Sequence, residues 1–294
     1  MDWDALAGSI GAGIAATLRP RPEARVPGGS INECYRWESG AGPIFVKVAP
    51  ARTRAMFEAE SAGLEELRGA DAVRVPEVLG IGTTETHAWL ALEWIPFGPR
   101  TPAAEAALGE RLALQHRRRG AAFGWHRDNT IGSTPQRNDW SEDWVAFYRD
   151  QRLRYQLELA AANGGGSDLQ RRGERLLDGL EGFFQTYRPV ASLLHGDLWG
   201  GNWAADDAGT PVVFDPAVYY GDREADVAMT RLFGGFGREF YAAYAATWAL
   251  DADARTRTVL YNVYHVLNHF NLFGGGYLAQ ARSMIDSLLR ERAG

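Results

Sequence analysis

The residues best suited to chemistry fall in one stretch, L-L-H-G-D-L-W-G-G-N-W followed by P-V-V-F-D-P. It supplies Asp197, Asn202 and, thirteen positions after Asn202, Asp215. Two carboxylates and an amide are hard oxygen donors. They suit Mg²⁺, which keeps several waters and phosphate oxygens in its shell. A carboxylate beside such an ion can also take the proton of an attacking hydroxyl. Asp, Asn and Gly favour turns as well, and a turn role would account for one of these residues. Two acids and an amide set between apolar runs point instead to a site held on a rigid frame. The chemistry expected is transfer of a phosphoryl group from ATP to a hydroxyl, with Asp197 as base and Asn202 and Asp215 on Mg²⁺.

The spacing is also that of the protein-kinase catalytic loop, H-R-D-L-x-x-x-N. His195, Asp197, Leu198 and Asn202 keep it, and Gly196 replaces the arginine. Asp215 ends the run Val212–Phe214, where the Asp of D-F-G would stand. The other parts come earlier in the chain. Lys47 lies in I-F-V-K-V, a costly place for an ammonium unless it is paired. ATP phosphates and a helix glutamate would pair it. Of Glu58 and Glu60, Glu60 is favoured because Leu64 and Leu67 follow it at helical spacing. The turn G-G-S-I-N-E, residues 28–33, fits neither standard phosphate-loop pattern. Its position before Lys47 makes Gly28, Gly29 and Ser30 candidates for the nucleotide loop. The run L-A-L-E-W-I leads into Pro96, Gly98, Pro99 and Pro102, a hinge at which backbone groups near Glu93 and Ile95 would bond adenine.

Elements must hold these residues in place. Asp2–Leu18 reads as a helix, and Val26–Val48 as strand, turn, strand, turn, strand. Arg52–Leu67 is helical, and Val75–Gly82 and Trp89–Ile95 are strands. Beyond the hinge, Ala103–Gln115, Trp140–Leu159 and Asp168–Tyr187 read as helices, with residues 163–167 as a loop. The segment F-G-W-H-R-D-N-T-I-G-S-T-P-Q is too rich in Gly, Pro and Asn for helix. The class expected is α+β with two lobes: a nucleotide-binding sheet lobe over 1–95, and a mainly helical lobe over 96–294 carrying the catalytic loop and acceptor site. A length of 294 residues suits two lobes.

Composition narrows the partners. Net charge is −6 at pH 7, which disfavours nucleic acid. No run of about 18 apolar residues appears, so no transmembrane helix is expected, and the acidic N-terminus lacks a signal peptide's basic start. A cytoplasmic location follows as an expectation. The single cysteine, Cys34, cannot form an internal disulfide and reads as a buried strand residue. His265 and His269 stand four apart without an evident third ligand, which disfavours zinc. His116 and His126 read as structural, and Asp226 as an anchor for the catalytic loop. Trp199, inside that loop, would stack on a sugar face or shape the acceptor pocket. Trp199 and His269 are the acceptor-site candidates.

The sequence resembles the fructosamine kinase (ketosamine-3-kinase) family, within the aminoglycoside phosphotransferase and choline kinase branch of the protein-kinase-like fold. The resemblance rests on F-G-W-H-R-D-N-T-I-G-S-T-P-Q-R-N-D-W, L-L-H-G-D-L-W-G-G-N and F-D-P-A-V-Y-Y-G-D-R-E-A-D-V-A-M, with N-H-F-N-L-F-G-G-G-Y near the end. It implies ATP-dependent phosphorylation of the 3-hydroxyl of ketosamines, free or protein-bound. By position it carries over Asp197 as base, Asn202 and Asp215 as Mg²⁺ ligands, and Lys47 as the ATP lysine. Many relatives have a cysteine where Ser30 stands, so a redox role does not carry over. Rival readings are an aminoglycoside- or choline-type phosphotransferase and a nucleotide-binding scaffold without turnover. A protein kinase is disfavoured, because no A-P-E segment follows Asp215.

Overall fold

The computed structural model describes residues 1–27 and 32–291. Gly28, Gly29 and Ser30 lie outside the described residues. The chain runs α1 (Trp3–Gly13), β1 (Ala24–Arg25), β2 (Glu33–Ser39), β3 (Gly42–Pro50), α2 (Arg54–Gly69), β4 (Val78–Thr83) and β5 (His87–Glu93). It continues through β6 (Phe97–Gly98), α3 (Pro102–His116), β7 (Asn129–Ile131), β8 (Thr134–Gln136), α4 (Trp144–Phe147), α5 (Tyr155–Ala162) and α6 (Gly166–Asp178). Then follow β9 (Ser192–Leu194), β10 (Trp203–Asp206), β11 (Pro211–Val213), β12 (Tyr219–Gly221), α7 (Arg223–Leu232), α8 (Arg238–Thr247), α9 (Ala254–Phe273) and α10 (Tyr277–Glu291).

The first five strands form one antiparallel sheet, in the order β1-β2-β3-β5-β4. Side chains alternate across a strand, and here each face has its own partner. Ile44, Val46 and Val48 of β3 pack with Trp89 and Ala91 of β5 against Leu6 and Ile10 of α1. Leu90 and Leu92 face the other way, toward Phe57, Leu64 and Leu67 of α2. Lys47 shares that second face, opposite Leu90 in register. The alternation that buries its neighbours under α1 therefore turns Lys47 toward α2 and the cleft. The α+β architecture is as expected. It combines this sheet with a large helical body and three small sheets that hold the catalytic loop and its surroundings.

Several boundaries differ from the sequence reading. Trp140–Leu159 is not one regular helix. Asp143 caps it by accepting the Ala146 N–H at 2.8 Å, so it starts at Trp144. Its turn over Tyr148–Arg154 is a π-helix. The Asp168–Tyr187 helix stops at Asp178, because Gly179 and Gly182 break it into a short 3₁₀ turn over Leu180–Phe183. The 163–167 loop is shorter than expected, since α6 already begins at Gly166. The Gly- and Asn-rich segment before Trp140 forms the hairpin β7–β8.

Candidate active site

The described candidates Lys47, Glu60, Glu93, Ile95, Asp197, Trp199, Asn202, Asp215 and His269 all line one cavity of about 930 Å³. Lys47 is 4% exposed. Its ammonium donates to Glu60 Oε1 at 2.6 Å and to Asp215 Oδ1. Burial disfavours that charge, but the Asp215 and Glu60 carboxylates outweigh it and hold the pKa above the usual lysine value. The ion pair thus joins the sheet, α2 and the segment after β11. Glu58 points elsewhere, to Arg54 at 2.8 Å.

The catalytic-loop candidates are held by hydrogen bonds within their own segment. Asn202 Nδ2 donates to the Asp197 carbonyl at 2.9 Å and to Asp197 Oδ2 at 3.2 Å, and its Oδ1 has no hydrogen-bond partner among the described residues. His195 is fully buried. Its Nε2–H donates to the Phe214 carbonyl at 3.0 Å, and its Nδ1 accepts the Asp197 N–H at 3.3 Å. One neutral imidazole therefore spans the backbone before Asp215 and that of Asp197. Burial lowers its pKa, which keeps it neutral. Asp226 accepts the N–H groups of His195 at 2.7 Å and Gly196 at 2.8 Å. Burial would raise the Asp226 pKa, but the hydrogen bonds from His116 and from the Gly196 N–H hold it below the ordinary value. The anchoring role read for Asp226 and the structural role read for His116 have this geometry behind them.

Two backbone features explain local sequence choices. Gly196 has φ +83°, and a Cβ there would meet the Ala217 carbonyl oxygen at 2.0 Å. The arginine of H-R-D cannot stand in this loop. Asp215 has φ +56°, rare for a residue with a side chain and rarer before proline. Strain of this kind collects at functional sites. The Asp197 pKa is raised well above the carboxylate norm, first by desolvation in the cleft and then by the charge of Asp215, with the Asn202 hydrogen bond opposing.

Of the two residues read as acceptor-site candidates, the half-exposed Trp199 ring lies across Gly201, where a Cβ would meet it at 2.1 Å. His269, on α9, has Phe233, Tyr277 and Phe273 around its ring at centroid distances of 4.7, 5.2 and 5.6 Å. Its Nδ1–H donates to the His265 carbonyl at 2.8 Å, so Nε2 carries the lone pair. His265 is buried, with its pKa pushed down to about 3 by desolvation. The His265/His269 pair gains no third ligand: among the described residues no group of three His, Cys, Asp or Glu could hold a metal. Cys34 is a buried strand residue, its thiol pushed up to about 11, chiefly by burial.

Other lining residues were not singled out from sequence. Phe97 stacks on Phe214 at 5.6 Å near the hinge. Residues 129–132 of the β7–β8 hairpin form a wall. That wall rests on buried amides: Asn129 Oδ1 accepts from Gln136 and Asn138, each at 2.9 Å, and Arg152 donates to Asn138 Oδ1 at 2.7 Å. The stretch was conspicuous in the sequence, but nothing in its composition pointed to a cavity wall.

The fructosamine kinase family model matches residues 3–291. A probable ketoamine kinase of Synechocystis is 40% identical, over 98% of this chain and 97% of its own. The chloroplastic protein-ribulosamine 3-kinase of Arabidopsis thaliana is 42% identical over 90% of this chain and 82% of its own. Among solved structures, a candidate fructosamine-3-kinase from Thermobifida fusca superposes with a TM-score of 0.87 at 32% identity, covering 98% of this chain and 99% of that one. The aminoglycoside phosphotransferase APH(4)-Ia shares the fold alone, with a TM-score of 0.67 at 16% identity over 99% of both chains. With a family model spanning nearly its whole length and relatives this similar, the chain belongs to the fructosamine kinase family.

Proposed function

We propose that this protein is an ATP-dependent kinase that phosphorylates the 3-hydroxyl of ketosamines, the rearranged adducts of sugars with amines. The observation that carries the reading is the ion pair of Lys47 with both Glu60 and Asp215, beside the hydrogen-bonded pair Asp197 and Asn202, in one cavity. Residues 1–95 are taken as the nucleotide-binding lobe and 96–294 as the acceptor lobe. Backbone groups near Glu93 and Ile95 receive adenine, and Gly28, Gly29 and Ser30, by their place in the sequence before Lys47, are assigned to the phosphates.

In this reading Lys47 neutralises phosphate charge, and Glu60 keeps its ammonium in place. Asp215 and the free Asn202 Oδ1 fit a hard cation, and Mg²⁺ held there supplies neutralisation of charge on the transferring group. Asp197 orients the acceptor's 3-hydroxyl and takes its proton. The hydroxyl oxygen bonds to the γ-phosphorus as the bond to the β–γ bridging oxygen breaks, and ADP leaves. Trp199 offers a ring face to the sugar, and His269 Nε2 offers an acceptor for a substrate N–H or O–H. Positioning and electrostatics supply most of the rate.

The test is Mg²⁺-dependent ATP consumption with ribulose-lysine, fructose-lysine, choline and an aminoglycoside, using Asp197→Asn as control. Turnover on a ketosamine that the variant loses supports the proposal. Turnover on choline or the aminoglycoside alone would discard the ketosamine acceptor and leave phosphoryl transfer standing. Turnover on none of the four would favour a nucleotide-binding scaffold.

A further inference from the structure

We infer that Arg74 is a positioning residue that ties the hinge to the strand leaving the catalytic loop, so that the two ends of the cleft move as one body. The inference rests on the nucleotide reading above. Arg74 lies between α2 and β4, outside the residues assigned to chemistry. Its guanidinium forks. Nη2 donates to Glu93 Oε1 at 2.6 Å, and Nη1 donates to Asp206 Oδ2. Glu93 closes β5 at the hinge, and Asp206 closes β10, the strand that begins one residue after Asn202.

Both carboxylates are fully committed. Glu93 Oε2 accepts the Glu77 N–H at 3.2 Å. Asp206 is buried, and its Oδ1 accepts the N–H groups of Thr210 at 2.7 Å and Ala208 at 3.0 Å. The backbone follows the same line. Val213 N–H donates to the Arg74 carbonyl at 3.0 Å, and Asp207 N–H donates to the Pro96 carbonyl at 3.2 Å. The hinge strand β6 pairs with β10 through Gly98 and Phe97. A planar guanidinium can serve two carboxylates at fixed angles, whereas one lysine ammonium is a point charge without that fork. Loss of Arg74 leaves buried Asp206 without its countercharge and frees Glu93 from β10. The adenine end then loses its fixed relation to the Asp197–Asn202 loop.

The experiment uses the whole protein with Arg74→Ala, Arg74→Lys, Asp206→Asn and the double variant Arg74→Ala/Asp206→Asn. MgADP binding is measured by calorimetry, and steady-state kinetics are run on a ketosamine. Arg74→Ala is expected to weaken MgADP binding, raise the KM for ATP about tenfold and lower kcat several-fold, with the acceptor KM within about twofold, because the nucleotide is both held less well and aligned less well with the Asp197–Asn202 loop. Arg74→Lys restores only part of this. In the Asp206→Asn background, Arg74→Ala adds little, since the link from Glu93 to β10 is already broken at its Asp206 end. A folded Arg74→Ala protein with wild-type MgADP affinity overturns the inference. So does a loss that appears only as less folded protein, with unchanged constants for the folded fraction. Wild-type protein that binds no MgADP overturns the nucleotide reading itself, and this inference with it.

Discussion

Gly63 of α2 lies against Val218, so that a Cβ at Gly63 would stand 3.2 Å from Val218 Cγ2 and 3.5 Å from Pro216 Cγ. Glu60 is three residues before Gly63, and Asp215 is three before Val218. This contact therefore sets how near the helix bearing Glu60 comes to the segment bearing Asp215, and both carboxylates meet on Lys47. A second tether, Tyr220 Oη to Glu66 Oε1 at 2.7 Å, holds the same helix farther along.

Gly63→Leu should push α2 away and part the Lys47 ion pair. Overpacking of this kind costs about 1–3 kcal/mol of stability. Misplacing a catalytic group by about an ångström lowers kcat/KM by about a hundredfold. Gly63→Ala should be much milder, because a single methyl side chain must give way and helix propensity recovers about 0.5–1 kcal/mol. Denaturant melts and kinetics on both variants check this. A Gly63→Leu enzyme with wild-type rate would show that the close approach does not hold the ion pair.

Gly196 yields a less intuitive expectation. Gly196→Arg restores the usual kinase H-R-D sequence, yet it should destabilise the protein and abolish activity. The left-handed backbone alone costs a side chain about 1–2 kcal/mol, and the Ala217 carbonyl oxygen leaves no room for a Cβ. Gly196→Ala should show most of the same loss, which separates the backbone effect from the arginine's charge. Thermal unfolding of the two variants reads the difference directly. A stable, active Gly196→Arg enzyme would mean that the loop can adopt another path.

The parts of this site that were legible in the sequence are those whose residue type is itself costly. An ammonium in an apolar strand, and two acids with an amide between apolar runs, have few bland explanations, and these residues converge on one cavity. The strand over the β-branched run Ile44–Val48 and the 3.6-residue spacing of α2 likewise followed from local pattern. Arg74, Phe97 and the 129–132 wall were not legible. Their position depends on contacts far along the chain, such as Arg74 with Asp206 and Phe97 with Phe214, and no local period records those. The π-helical turn through Arg152 was missed for a similar reason. Its guanidinium is buried against the Phe147 and Tyr219 rings and the Asn138 amide, a tertiary demand that overrides regular helix.

Asp197→Asn removes the proposed proton acceptor while keeping the size and the link to Asn202. It should lower kcat by about 10²–10⁴-fold, the usual contribution of a general base. MgADP affinity should be unchanged. The pH profile supplies a second readout. Asp197 must be ionised to accept a proton, so kcat/KM falls as pH drops through its pKa. Desolvation and Asp215 raise that pKa, so the acid limb should lie above the ordinary aspartate value of about 3.9. The residual rate of Asp197→Asn should lack the limb. An identical limb in the variant would assign it to another group.

His269 tests the acceptor end separately. Because its Nδ1–H is spent on the His265 carbonyl, the ring meets the cleft with a lone pair on Nε2. Burial lowers its pKa, with the His265 hydrogen bond opposing, so the ring is neutral at pH 7. A ketosamine carries both N–H and O–H donors that match such an atom. His269→Ala should raise the acceptor KM about tenfold, the loss of one hydrogen bond to a polar or charged donor, and leave the KM for ATP unchanged. His269→Gln, whose amide oxygen reaches a similar position, should recover part of the affinity. Protonation of Nε2 would remove the acceptor, so the ketosamine KM should rise as pH falls through a pKa that lies below the ordinary histidine value, while the variant's KM stays flat. Equal rises in both KM values for His269→Ala would place the histidine in a general structural role, since a group reading only the acceptor cannot alter nucleotide binding.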